Sequence, residues 1–185
     1  MTALVNSAPA TGSGTFTLTA PVSSNNQTLT LPDETGTLYS SATPVRTQKG
    51  VPAFSAYQSV AQSVTNAVVK IQFQAEEYDV TGAFDSTTNY RFQPTVAGYY
   101  LLNAALAIAS ATTYIDLRCY KNGSYAKAFA SNFNASNQSF VAGSCQVYLN
   151  GSTDYVEVYA STGATINSIA QLQNTYFQGI LIAAA

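Results

Sequence analysis

Histidine is absent from this 185-residue chain. The side chain best suited to move a proton near neutral pH is therefore missing. No glycine-rich phosphate loop and no G-x-S-x-G nucleophile elbow occurs. Paired-carboxylate catalysis needs two acids brought together with one pKa shifted. Only Asp33-Glu34 and Glu76-Glu77-x-Asp79 are clustered, and both fall in stretches that read as turns. No catalytic residue is therefore expected. Glu76, Glu77, Asp79 and Asp85 are four of nine acids and lie within ten residues. They read either as a calcium site, which takes about six to eight oxygens, or as a solvated loop. Their spacing matches no calcium-loop motif, which favours the solvated loop, so neither metal nor cofactor is expected. Cys119 and Cys145 offer the remaining chemistry, as one disulfide or as two free thiols. Both fall on expected core faces, where a free cysteine packs as a small hydrophobe, and this favours free thiols.

Composition points from catalysis toward surfaces. Hydrophobic residues make up 46% of the chain and charged residues 9%. Ordinary soluble domains carry roughly 25% charge. The surface must then be built from Ser, Thr, Asn, Gln and Tyr, which suits tight self-association. With 7 Lys+Arg and no basic cluster, the chain lacks the footprint of a nucleic-acid binder. No apolar run approaches the ~20 residues of a membrane-spanning helix, so membrane insertion is not expected. The first residues show no basic segment followed by an apolar leader, so synthesis in a cytoplasm is expected.

Two regions differ along the chain. Residues 1–50 hold a linker, Ala8-Pro9-Ala10-Thr11-Gly12-Ser13-Gly14, and short alternating stretches carrying Phe16, Leu18, Leu29, Leu31 and Leu38. Hairpins this small are marginal alone, so this arm needs partners, and those five apolar residues are its expected anchoring face. Residues 51–185 read almost wholly as strand. Expected strands cover 68–73, 90–93, 99–110, 113–120, 125–129, 140–149, 155–159 and 175–182, with a turn region between 73 and Gly82. Asn122-Gly123 and Asn150-Gly151 are expected hairpin turns, because both residues of each pair tolerate positive φ. Regular short strands of this kind mean a sandwich or jelly roll. Alternation puts Ile115, Leu117 and Cys119 inside, with Tyr114, Asp116, Arg118 and Tyr120 outside. Cys145, Val147, Leu149, Val156 and Val158 are also expected inside.

Phe54, Phe73, Tyr78-Asp79, Gly82, Phe84, Phe92, Gly98-Tyr99-Tyr100, Tyr120-Lys121-Asn122-Gly123, Gly151, Asp154, Val156 and Phe177-x-Gly179 occur in an order that resembles the C1q-like branch of the C1q/TNF jelly rolls. The match spans about 130 residues. It implies an all-β jelly-roll sandwich forming a homotrimer, with Asp79 capping a turn. No Gly-X-Y collagen stalk is present, so the defence-collagen role is not implied. Tyr99, Tyr100 and Phe177 sit where such trimers pack aromatic residues along the axis. They read as trimer interface, with a ligand surface as the other reading. Tyr125, Phe129, Phe133, Asn134 and Asn137 lie in an Asn/Ser/aromatic stretch expected to be an exposed loop, the candidate ligand tip. The phrase Thr28-Leu29-Thr30-Leu31-Pro32-Asp33-Glu34-Thr35-Gly36-Thr37-Leu38 resembles a segment common in bacteriophage tail-fibre and other virion proteins. Together these imply a virion structural protein, a capsid decoration or head fibre. Its arm would hold the major capsid protein or another virion protein, and its knob would be exposed to a host surface glycan. A tail-fibre or tail-tip receptor-binding protein is the alternative.

Overall fold

The computed structural model describes residues 51–135 and 139–185. The arm, with Phe16, Leu18, Leu29, Leu31 and Leu38, lies outside the described residues, as do Asn137 and the side chain of Asn134. Thirteen strands follow one another among the described residues: β1 Ala53–Tyr57, β2 Ser63–Val64, β3 Val69–Lys70, β4 Ala75–Asp79, β5 Phe84–Asp85, β6 Arg91–Phe92, β7 Ala97–Ile108, β8 Thr112–Lys121, β9 Ser124–Ala135, β10 Ser139–Asn150, β11 Val156–Thr162, β12 Ile166–Asn167 and β13 Tyr176–Ala184. One sheet has the order β10-β7-β13-β1-β4. The other has the order β5-β6-β11-β8-β9, with β3 added on β11, and β2 pairs with β12 separately. The pairing is antiparallel throughout.

Alternation in sequence becomes burial in structure. Ile115, Leu117, Cys119, Leu149, Val156 and Val158 are wholly buried, and Val147 and Cys145 nearly so, as expected. The two sheets meet over an aromatic core. The Phe54 ring from β1 stacks on Phe92 of β6 at 4.4 Å and on Phe84 of β5 at 4.9 Å, and meets Phe177 of β13 edge-on at 4.9 Å. Each ring so buried contributes about 1.5–3 kcal/mol. Tyr100 is buried beside Phe92, and its hydroxyl donates to the Val96 carbonyl at 2.7 Å. Burial pushes its pKa up to about 12. One end is closed by polar groups. Ser168 Oγ donates to Gln58 Oε1, and Gln58 Nε2 donates to Gln62 Oε1 at 3.0 Å.

Several expectations are corrected. The stretch before Gly82 is not all turn. Ala75–Asp79 forms β4 and pairs with β1, so Glu76 and Glu77 stand exposed on an edge strand. The expected strand over 68–73 shrinks to Val69–Lys70. Asn122-Gly123 is a true hairpin turn between β8 and β9, with φ of 53° and 76°. Asn150-Gly151 is not, because β10 and β11 belong to different sheets. There Asn150 Oδ1 accepts from the amides of Ser152, Thr153 and Asp154 and reverses the chain as an Asx turn. The expected strand over 125–129 is part of β9, and the expected loop beyond it is strand as well, since β9 runs to Ala135. Gly143 of β10 crosses β9 closely, and a Cβ there would strike the Phe129 carbonyl.

Candidate functional site: the outward face of the five-stranded sheet

β10, β7, β13 and β1 are four neighbouring strands without a single charged residue. Their inward residues build the core. Their outward residues form rows fixed by register. Ser55 opposes Gln178, Gln178 opposes Asn103, and Asn103 opposes Ser144. The next row is Ala53, Ile180, Leu101 and Gln146. Beyond it Tyr99 opposes Tyr148, the rings 5.4 Å apart in an edge-on contact. Tyr99 is 52% exposed, Ile182 47%, Ile180 45% and Tyr148 39%, so the face is largely apolar as well as uncharged. Exposed apolar residues grouped in this way mark an association surface rather than scattered surface hydrophobes. Charge returns at the two edges: Ser55 Oγ donates to Glu77 Oε2 of β4 at 2.6 Å, and Lys121 Nζ donates to the Tyr148 carbonyl of β10 at 2.8 Å, 5.7 Å from the Tyr148 ring centre.

The outward face of the second sheet differs. It carries Lys70, Asp116, Arg118 and Glu157. Asp116 pairs with Arg118 at 2.5 Å and Lys70 with Glu157 at 2.7 Å. Tyr120 and Tyr159 stack at 4.1 Å, and the Arg91 guanidinium lies 4.3 Å from the Tyr155 ring centre. Burial, with Glu157 nearby, raises the Tyr159 pKa. Lys121 at 2.7 Å, with Asn122, holds the Asp154 carboxyl below its usual value.

The acids near residue 80 are committed to the backbone. Asp79 accepts from the amides of Thr81 at 3.2 Å and Phe84 at 2.6 Å, so it caps a turn. Asp85 accepts from the amides of Thr87, Thr88 and Asn89. Those bonds, Thr88 foremost, hold its pKa far below the ordinary value. Among the described residues no group of three His, Cys, Asp or Glu could hold a metal ion. Cys119 and Cys145 are free, buried thiols projecting from opposite sheets into the core. The neighbouring Cys145 thiol, and then burial, raise the Cys119 pKa.

Of the three expected interface residues, Tyr99 lies on the uncharged face. Tyr100 and Phe177 do not. Both are wholly buried within the sandwich, because alternation turns them to the core side of β7 and β13. Of the expected ligand residues, Tyr125 is 56% exposed and Phe133 73% exposed, both on β9. Phe129 is turned inward, 6.3 Å from Phe177, and is a core residue. Ile180, Ile182, Tyr148 and Leu101 were missed as surface residues. The phase of alternation in β13, β10 and β7 was the signal for them.

No protein-family model matches the chain, and no curated protein matches its sequence. Solved structures do. The Eiger TNF of S. frugiperda matches with a TM-score of 0.58 at 10% identity, covering 74% of this chain and 96% of that one. Murine APRIL at pH 8.0 matches with a TM-score of 0.57 at 11% identity, covering 72% of this chain and all of that one. Murine APRIL at pH 5.0 gives 0.56 at 10% identity over the same shares. The knob is a jelly roll of the C1q/TNF type, as the residue pattern implied.

Proposed function

We propose that this chain is a non-catalytic structural subunit of a bacteriophage virion. It is a homotrimeric capsid decoration or head-fibre protein whose arm, residues 1–50, holds the particle and whose knob is displayed. The observation that supports the knob's role is the uncharged outward face of β10, β7, β13 and β1. Three copies can bring such faces together about an axis without burying an ion, which costs several kcal/mol per charge. The C1q/TNF resemblance implies the same threefold arrangement. The virion assignment is supported by the Thr28–Leu38 phrase, whose backbone groups can pair with neighbouring subunits by strand addition.

Light scattering on the purified protein should give about three times the 19.5 kDa chain mass. A stable monomer at micromolar concentration refutes the trimer. Deleting residues 2–40 should abolish incorporation into particles and leave that trimer mass intact for the knob. Normal incorporation of the truncated protein refutes the anchor. Copies per particle, counted by virion mass spectrometry, separate the two virion sites. Hundreds mean decoration, and a handful mean a tail organelle.

A further inference from the structure

The outward face of the six-stranded sheet has a groove of about 300 Å³. That volume is at the lower bound of small-ligand sites, about 300–1,000 Å³. Val68, Tyr114, Asp116, Arg118, Ser131 and Phe133 line it. Register explains why they meet. Tyr114 of β8 opposes Phe133 of β9, and one row further Asp116 opposes Ser131. Two aromatic rings therefore stand at one end and a carboxylate in the middle. The carboxylate is held on both oxygens. Arg118 Nε donates to Asp116 Oδ2 at 2.7 Å, and Ser131 Oγ donates to Asp116 Oδ1 at 2.8 Å. The Asp116 and Arg118 side chains remain 21% and 27% exposed, so their outer edges face the groove opening.

We propose that this groove binds a neutral saccharide unit. A sugar ring has an apolar face of C–H groups and a rim of hydroxyls. Phe133, 73% exposed, offers flat apolar area for the first. The fixed Asp116–Arg118 pair offers acceptors and donors side by side for the second. Adjacent hydroxyls can donate to the carboxylate and accept from the guanidinium at once. Charge decides against other ligands. One carboxylate and one guanidinium already neutralise each other, and among the described residues no further ion lines the groove. A phosphate, a nucleotide or an acidic sugar would need a cation that is not already paired. The site is argued from the knob alone, whereas a cell surface as the sugar's source rests on the display reading above.

The test uses the full-length protein on an array of isolated bacterial surface polysaccharides, both neutral and acidic, followed by calorimetric titration with the neutral one retained most strongly. Binding to at least one neutral polysaccharide is expected. Phe133→Ala and Asp116→Ala should each weaken it by about tenfold or more, the scale of losing one anchoring side chain. Light scattering should show the Phe133→Ala protein at the unchanged oligomeric mass. Retention of no neutral polysaccharide, or of acidic ones only, overturns the proposal. So does wild-type affinity in Phe133→Ala, or a changed mass, which would make Phe133 an assembly contact. None of these outcomes depends on particle incorporation, so the groove and the virion assignment fail separately.

Discussion

Along the outward side of β7 the residues run Tyr99, Leu101, Asn103; along the outward side of β8 they run Tyr114, Asp116, Arg118, Tyr120. Both strands are long, antiparallel and central to their sheets, and both bury every second residue. Only the outward half of the alternation differs. The β8 face keeps ions, paired side by side within one protomer, and these suit permanent contact with water. The β7 face and its three uncharged neighbours keep aliphatic, aromatic and amide groups. Burying the first face against another subunit would strand charges. Burying the second would release water from apolar area, worth roughly 25 cal/mol per Å². Two surfaces made by one pleat thus divide the work: one is suited to assembly and the other to exposure.

The strongest way to break this comparison is to move a charge across it. Ile180→Asp places a carboxylate in the row of Ala53, Leu101 and Gln146, at a position 45% exposed in the protomer. Folding of one chain should survive. Assembly into the proposed trimer should not, because three carboxylates would be desolvated together at several kcal/mol each. Light scattering should fall to the single-chain mass, while Lys127→Glu on the opposite sheet leaves the mass unchanged. An intact oligomer in Ile180→Asp would remove the uncharged face from the assembly.

Next in size is the buried ion pair of the charged face. Glu157 is 4% exposed and depends on Lys70 at 2.7 Å. Lys70→Met leaves that carboxylate without its cation. The cost should be about 2 kcal/mol, below the roughly 3–5 kcal/mol of fully buried pairs, because the Lys70 side chain is 32% exposed. Denaturant unfolding measures it, and Lys70→Met with Glu157→Gln should recover part of the loss. A single substitution with wild-type stability would show that water already screens the pair.

Asp154 ties the Asn122 and Asn150 turns together. It accepts from Asn122 Nδ2 at 2.7 Å and from the Asn150 amide at 3.0 Å, besides pairing with Lys121. These contacts lower its folded pKa below the ordinary 3.8. A lowered folded pKa means stability that is fully present above the unfolded value and lost as pH falls through the folded one. Asp154→Asn should therefore cost about 1–3 kcal/mol at neutral pH. The gap between variant and wild type should narrow steadily below the ordinary carboxylate value. A gap that stays constant down to pH 2 would mean the charge of Asp154 is irrelevant.

Much of this architecture was legible in the residues. The phase of Ile115, Leu117 and Cys119 located the core, because a pleat allows only two faces. Asn122-Gly123 located a hairpin, because few other pairs accept two positive φ values. Asn150-Gly151 misled for a matching reason: its Asx turn looks the same in sequence, but the next strand joins the other sheet. Which sheet a strand joins depends on contacts far along the chain. The second half of β9, beyond Phe129, was hidden by its Ser, Asn and Ala content, which resembles loop and becomes strand only by pairing along β8. At the candidate face, aromatic type drew attention to Tyr100 and Phe177, yet alternation sends both inward. The quieter residues Ile180, Gln178 and Asn103 form the surface instead. Tyr114 and Phe133 lie 19 positions apart, and only the β8–β9 register reveals that they form one end of a groove.

The smallest expected effect sharpens the comparison by its near absence. If assembly uses the uncharged face, the association equilibrium has no charge pairs for salt to screen. Added salt shortens the screening length from above 10 Å to below it between about 50 and 500 mM. Dissociation on dilution, followed by sedimentation, should then change by less than about twofold over that range. Apolar association is strengthened slightly by excluded salts, so any drift should be toward the oligomer. The intramolecular pair Asp116–Arg118 does feel screening, but it lies on the opposite sheet and does not enter that equilibrium. A marked weakening of the oligomer by salt would place the charged face at the subunit contact and reverse the roles assigned to the two sheets.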